Sequence, residues 1–278
     1  MELINELITP FNENKEIDVD VFNKLIEISI SKGNNYQLLF SYLGDGYLIT
    51  QEEKIALIKS INSSYLNRII YFFQLSNEYN DKKEINFLLS SNIEYVMINP
   101  PTNCFYSQNG LFLYIKNILK KLKNKKIMLM NSPLNCSINF HFQTLKKLIK
   151  TNNNIIALYE NGFDKSLICL LKHHFPAIKI YVNESKLNYA LNNFLDGIVS
   201  VSSFIFINDY LTVFDDYQND YTNNLLIDYL LFVHEILCFS NNSTIIKAYL
   251  KKLGYSSMNV RLPLVIEQND IENLDYLI

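Results

Sequence analysis

The feature that most constrains the fold is an alternation of short strand-like runs with longer helical patterns, repeated eight times. The strand-like runs are rich in Ile, Leu, Val, Tyr and Phe, and between them apolar residues recur at helical spacing. Such an alternation predicts parallel strands joined by helices. The predicted strands cover residues 3–7, 36–40, 69–73, 95–99, 127–130, 155–159, 178–182 and 198–201.

Most of these strands lack a polar face, which indicates that both of their faces are covered. This favours a closed TIM-type (βα)8 barrel, an α/β fold, over an open sheet. A Rossmann-type sheet is the competing arrangement, and it is disfavoured because no GxGxxG motif follows the first strand.

After residue 201 the pattern changes to helices only. The first of these helices, over residues 204–214, would close the barrel. The later ones, near residues 223–239 and 244–253, would form a separate helical layer. We therefore predict a TIM-type barrel over residues 1–217 and a C-terminal helical appendage over residues 218–278.

Composition excludes several classes of partner. A net charge of −3 offers no electrostatic attraction for nucleic acid or an anionic membrane surface. No apolar run reaches the roughly 18 residues that a membrane span needs, and the acidic N-terminus is unlike a signal peptide, so we expect a cytoplasmic protein. The four cysteines are scattered without a CxxC pair or a His at ligand spacing, which predicts neither a zinc site nor a disulfide framework: Cys104, Cys136, Cys169 and Cys238.

Six short motifs are similar, in the same order, to those of one enzyme family. They are ITPF at residues 8–11, LGDGYLITQEEK at 43–54, NPPTNCFYSQNGL at 99–111, MNSPLNCS at 130–137, GIVSV at 197–201 and KKLGYSSMNVRLPL at 251–264. They resemble VTPF, TGESPTLTEEEK, TPYYNKPTQEGL, YNVPGRTG, GVISV and KELGLVATDTLRLPL of the dihydrodipicolinate synthase and N-acetylneuraminate lyase family. Five of the seven glycines also fall on glycine positions of that family: Gly33, Gly44, Gly110, Gly197 and Gly254.

The resemblance implies a pyruvate-dependent class I aldolase on a TIM barrel. Such an enzyme forms an imine between a lysine amine and pyruvate, while a tyrosine shuttles protons. It implies no cofactor, pyruvate or another small keto acid as ligand, and a homo-oligomer that is a dimer or tetramer. The active site would lie at the C-terminal ends of the strands.

Two central residues of that chemistry are replaced. The tract IIALYENGFD at residues 155–164 is similar to the family's IIGIKEATGD, but Tyr159 stands where the family has its Schiff-base lysine. A phenol cannot form an imine with a ketone. Met130 stands at the position of the proton-shuttling tyrosine, and a thioether has no proton to give.

The surrounding pocket also departs from the family pattern. Tyr42 and Leu43 replace the hydroxyl pair of the family's GTTGE, and Asn135 aligns with the arginine that binds a substrate carboxylate. Asn103 aligns near the tyrosine of the fourth βα loop, and Val199 on the eighth strand completes the expected pocket. We therefore expect no catalytic residue of the family mechanism.

Other ionisable residues receive structural interpretations. Lys165 and Lys126 are not expected to point into the pocket, and Glu160 with Asp164 are expected to be structural carboxylates. Glu184, after the seventh strand, is expected on a solvated rim. The histidines show no HxxxH or HExxH spacing, so no metal site is expected.

Three functions remain open from sequence alone. The first is a noncatalytic family member kept for structure or for hetero-oligomers with an active homologue. The second is a working dihydrodipicolinate synthase or keto-acid lyase of lysine biosynthesis that uses other residues. The third is a protein that binds a small molecule at the barrel mouth without covalent chemistry.

Overall fold

Eight parallel strands close into a barrel in which each strand pairs with the next and the last pairs with the first. The structure, a computed structural model, describes residues 1–102, 104–136, 138–272, 274 and 277. This confirms the predicted TIM-type barrel. The strands are β1 (Glu2–Glu6), β2 (Tyr36–Leu39), β3 (Ile69–Gln74), β4 (Tyr95–Asn99), β5 (Lys126–Asn131), β6 (Ile155–Glu160), β7 (Lys179–Asn183) and β8 (Gly197–Ser200).

Helices connect the strands and continue after them. Several of them begin at residues suited to an N-cap: the side chains of Asp18, Thr50 and Ser107 accept hydrogen bonds from the first free backbone N–H groups. The helices are α1 (Val19–Lys32), α2 (Gln51–Ser60), α3 (Asp81–Ser90), α4 (Gln108–Lys121), α5 (Pro133–Cys136), α6 (Phe142–Thr151), α7 (Lys165–His174), α8 (Leu187–Asn192), α9 (Ile207–Gln218), α10 (Asn224–Leu237), α11 (Thr244–Lys252) and α12 (Gln268–Glu272).

The C-terminal helices α10 to α12 form the helical part that the sequence predicts after the barrel. The proposed boundary between residues 217 and 218 falls one residue before the end of α9. No helix in the described part of the chain is long and apolar enough to cross a membrane.

Two cations tie the C-terminal part to the barrel. The Lys247 ammonium on α11 is fully buried, lies 2.6 Å from Asp45 Oδ2 in the loop after β2, and donates to the Asn259 carbonyl at 3.0 Å. Arg261 donates to both carboxylate oxygens of Glu53 on α2, at 2.6 and 2.9 Å. Both cations lie over the ring of Phe11, at 4.3 and 4.4 Å from its centroid.

One glycine is required where the barrel closes. A Cβ on Gly197, at the start of β8, would lie 2.2 Å from the Glu2 carbonyl oxygen of β1, so any side chain would push the closing strands apart. Gly110 is different, because a Cβ there would meet nothing nearer than 3.6 Å. Neither a close approach nor a positive φ therefore explains a glycine at residue 110.

The barrel interior is packed with side chains of its own, separate from the layer between strands and helices. Hydrophobic residues from all eight strands contribute to it. Three of the larger side chains, Phe72, Tyr159 and Tyr181, are aromatic. The buried members are Ile4, Leu38, Ile70, Phe72, Met97, Met128, Met130, Ala157, Tyr159, Tyr181 and Val199.

Candidate functional site

Tyr159 and Met130 lie side by side inside the barrel, because β6 and β5 pair in register at these two residues. Only 3% of Tyr159 and 4% of Met130 is exposed. The Tyr159 hydroxyl donates to Asn161 Oδ1 at 3.0 Å and accepts from Asn183 Nδ2 at 3.5 Å. Burial, with the charge of nearby Glu6, raises the pKa of Tyr159 well above its usual value. Tyr159 is therefore a neutral phenol whose hydrogen bonds are satisfied.

A second ring, Tyr42, is held against the interior by a polar network. Its ring packs edge-on against Phe72, with the centroids 5.5 Å apart. Its hydroxyl donates to Gln74 Oε1 at 2.5 Å and accepts from Asn99 Nδ2 at 3.0 Å. The Cys136 thiol donates to Asn99 Oδ1 at 3.1 Å. These bonds fix the Tyr42 side chain in one position against the barrel interior.

The other expected pocket residues are distributed differently. Val199 is fully buried in the interior beside Met130 and Tyr159. Leu43 packs against the layer between strands and helices, and Asn135 is exposed on α5, where its amide donates to Ser132 Oγ at 3.0 Å. Asn103 lies outside the described residues. The structure thus brings together Tyr42, Met130, Tyr159 and Val199, and places Leu43 and Asn135 apart from them.

Lys165 and Lys126, the lysines that could have supplied another imine-forming amine, lie elsewhere. The Lys165 ammonium is over the rings of Phe163 and Tyr189, at 5.3 and 5.5 Å from their centroids. Lys126 opens β5 at the other end of the barrel, where it pairs with Glu94 at 2.8 Å. Neither amine is beside Tyr159.

Glu160 and Asp164 serve local structure. Glu160 is buried and accepts from Asn131 Nδ2 at 2.7 Å, and burial raises its pKa to about 7. The Asp164 carboxylate accepts from the Leu167 backbone N–H at 3.0 Å and so caps α7. These contacts agree with the structural interpretation of both carboxylates.

The expectation for Glu184 is wrong, because this residue is 2% exposed and not on a solvated rim. It follows β7 directly, and its Oε2 accepts hydrogen bonds from three hydroxyl groups, of Ser200, Ser202 and Tyr210. Its Oε1 lies 3.1 Å from His234 Nδ1 on α10. Spacing along the chain could not reveal this pair, because the two residues are fifty positions apart.

Glu184 is held as an anion. Burial alone would raise the pKa of its carboxyl group, but the hydrogen bond and charge of His234 and the hydroxyls of Ser200 and Ser202 outweigh burial and lower the pKa to about 2. The Glu184 carboxylate therefore stays ionised at the C-terminal ends of β7 and β8, where it faces His234.

A second buried carboxyl, Glu6, ends β1 and behaves in the opposite way. Burial raises its pKa to about 7, and the charge of Glu184 acts in the same direction, although a hydrogen bond from Ser41 partly opposes them. The sequence could have marked Glu6 as a candidate site residue, since it is an acidic residue at the end of an apolar strand.

The raised pKa of Glu6 makes stability depend on pH. The folded protein holds this proton more tightly than the unfolded chain, whose carboxyl has a pKa near 4.5, so stability falls as pH rises from there to about 7. The difference between the folded and unfolded pKa of Glu6 corresponds to about 3 kcal/mol. A Glu6→Gln variant is expected to escape this loss and to gain stability over the unchanged protein as pH rises through the window. Urea unfolding of both proteins at about pH 5 and 8 measures this difference in stability. An equal change in stability between the two pH values in both proteins would contradict the prediction.

Comparison with known proteins identifies the family to which the whole chain is similar. Residues 1–274 match the model of the Dihydrodipicolinate synthetase family. The 4-hydroxy-tetrahydrodipicolinate synthase of Karelsulcia muelleri (strain GWSS) is 27% identical, over 98% of this chain and 94% of its own. That of Wigglesworthia glossinidia brevipalpis is 28% identical, over 93% and 89%.

Solved structures share the fold. The dihydrodipicolinate synthase of Cyanidioschyzon merolae, with lysine bound, superposes with a TM-score of 0.91 at 20% identity, over 99% of this chain and 96% of its own. YagE, a prophage protein from E. coli K12 solved in complex with pyruvate, superposes with a TM-score of 0.90 at 17% identity, over 99% and 96%. At these identities the likeness establishes the barrel with its C-terminal helices.

Proposed function

This chain belongs to the dihydrodipicolinate synthetase family, and from that premise we propose that it keeps the family barrel without the imine chemistry and acts as a noncatalytic subunit in the cytoplasm. The observation that carries the proposal is the Tyr159 phenol, which is buried on β6 inside the barrel where the family motif has its lysine. An imine contains a C=N bond, and a phenol has no nitrogen with which to form one from a ketone.

The neighbouring positions support the same conclusion. Met130, next to Tyr159, offers no proton for a shuttle. The Asn135 amide is neutral and exposed, so it cannot replace the paired N–H donors with which a guanidinium binds a carboxylate. If pyruvate lay where the family motif has its lysine, the rings of Tyr42 and Tyr159 would also occupy part of its space.

An exposed apolar stripe on α10 supports a role in assembly. Leu225, Tyr229 and Phe232 are 85%, 39% and 42% exposed and lie on one face of the helix, and Phe239, 74% exposed, follows its end at the same spacing. Exposed apolar side chains that lie together on one face are typical of a protein interface. We propose that the chain forms homo-oligomers, or hetero-oligomers with an active homologue.

Turnover tests the proposal. Purified protein with pyruvate and an aldehyde acceptor is expected to consume pyruvate at least about 10³-fold more slowly than an active relative, because the covalent step is absent. An active relative mixed with this protein is expected to co-elute with it and to change in turnover. Turnover equal to that of the relative would contradict the loss of chemistry, and separate elution with unchanged turnover would contradict the subunit role.

The competing proposal is an active 4-hydroxy-tetrahydrodipicolinate synthase that uses other residues. The names of the two curated relatives favour it. So does Glu6, whose pKa of about 7 suits a general acid or base. The same turnover assay separates the two proposals.

A further inference from the structure

Three potential metal ligands from distant parts of the chain converge at the C-terminal end of the barrel. Glu184 Oε1 lies 3.1 Å from His234 Nδ1 and 3.9 Å from Cys238 Sγ. All three ligand atoms lie within 4.8 Å of one another. His234 and Cys238 are one helical turn apart on α10, so both side chains face Glu184 from the same side.

These separations fit a zinc-type ion. Zinc binds oxygen and nitrogen at about 2.0–2.2 Å and sulfur at about 2.3 Å, so neighbouring ligand atoms of a tetrahedral site lie roughly 3.3–3.8 Å apart. The two measured distances to Glu184 Oε1, 3.1 and 3.9 Å, lie close to either end of that range. The third pair, His234 and Cys238, is within 4.8 Å, so closing it to the tetrahedral range needs a side-chain movement of up to about 1 Å.

The residues around Glu184 hold it in the way that neighbouring groups orient a metal ligand. Glu184 Oε2 is held by the hydroxyls of Ser200, Ser202 and Tyr210, which orient the carboxylate and leave Oε1 for the other two ligands. The His234 side chain is 17% exposed and Cys238 is partly buried, so an ion could enter from the α10 side.

We propose that Glu184, His234 and Cys238 bind a divalent transition-metal ion of the zinc type. Thiolate, imidazole and carboxylate together favour zinc or cobalt over magnesium and calcium, which prefer oxygen ligands. Three protein ligands leave a fourth position open for water or a small molecule. The site does not depend on whether imine chemistry has been lost, since none of its ligands takes part in that chemistry.

Cobalt(II) is the probe, because a tetrahedral cobalt thiolate absorbs in the near-ultraviolet and visible. Protein freed of metal with a chelator is expected to bind about one Co²⁺ per chain and to show the thiolate charge-transfer band. Cys238→Ser is expected to lose that band. Cys169→Ser is the matched control, because Cys169 is an exposed cysteine on α7, and it is expected to keep the band.

A thermal measurement covers the case in which Cys238→Ser does not fold. Zinc chloride is expected to raise the melting temperature of the unchanged protein, and magnesium chloride is expected to leave it unchanged, because only an ion that binds the folded state stabilises it. Absence of bound cobalt and of a zinc shift in folded protein would overturn the site. So would a thiolate band that persists in Cys238→Ser.

Discussion

A Tyr159→Lys variant is expected to form a borohydride-stable adduct with pyruvate, rising from none detectable in the unchanged protein to about one per chain. The substitution places a primary amine on the interior face of β6, between Met130 and Tyr181 on the neighbouring strands. It also removes a phenyl ring and so opens space for a small keto acid. Borohydride reduction followed by peptide mass spectrometry locates the adduct.

Position, more than the presence of a lysine, should decide the result. Tyr181→Lys is the matched control, because Tyr181 is an equally buried interior tyrosine whose hydroxyl bonds to Glu2 at the opposite end of the barrel. It is expected to give no adduct. Equal labelling of both variants would show that β6 holds no preferred site. No labelling of folded Tyr159→Lys would show that the pocket no longer admits pyruvate.

A Lys247→Met variant is expected to lose about 3–5 kcal/mol of unfolding free energy, because it leaves the buried Asp45 carboxylate without its cation. Lys247 and Asp45 are both completely buried, and their charged atoms are 2.6 Å apart. Burial lowers the pKa of Lys247, and the Asp45 charge opposes that change, so Asp45 stabilises the ionised form of Lys247. Urea unfolding measures the loss.

The double variant Asp45→Asn/Lys247→Met separates the contribution of the charge pair to stability from that of side-chain packing. It removes both charges, and asparagine tolerates the positive φ of 64° at residue 45. We expect it to recover most of the stability lost in Lys247→Met. If the double variant is as unstable as the sum of the single substitutions, the two residues are not coupled and this account of the interface is wrong.

The barrel could be predicted from the sequence because its signals are local and repeated. Each predicted strand lies within one residue of the observed one at both ends, since runs of apolar residues between helical patterns mark strands that are covered on both sides. The family motifs also placed Met130 on the fifth strand and Tyr159 on the sixth, as the structure has them. Both conclusions needed no contact between distant parts of the chain.

The polar clusters could not be predicted in the same way. Glu184 meets His234 and Cys238 only because α10 folds back over the end of β7. Lys247 meets Asp45 only because α11 covers the loop after β2. Such pairs depend on tertiary packing, and neither residue spacing nor charge pattern along the chain reveals them.

The central claim is that a buried phenol stands in place of the amine that would hold the keto acid. Borohydride treatment of the unchanged protein with pyruvate, followed by mass spectrometry of the intact chain and its peptides, tests it most directly. We predict that the chain keeps its unmodified mass, while an active relative treated in parallel gains one reduced pyruvate. A stoichiometric adduct on any lysine of the unchanged protein would contradict the account.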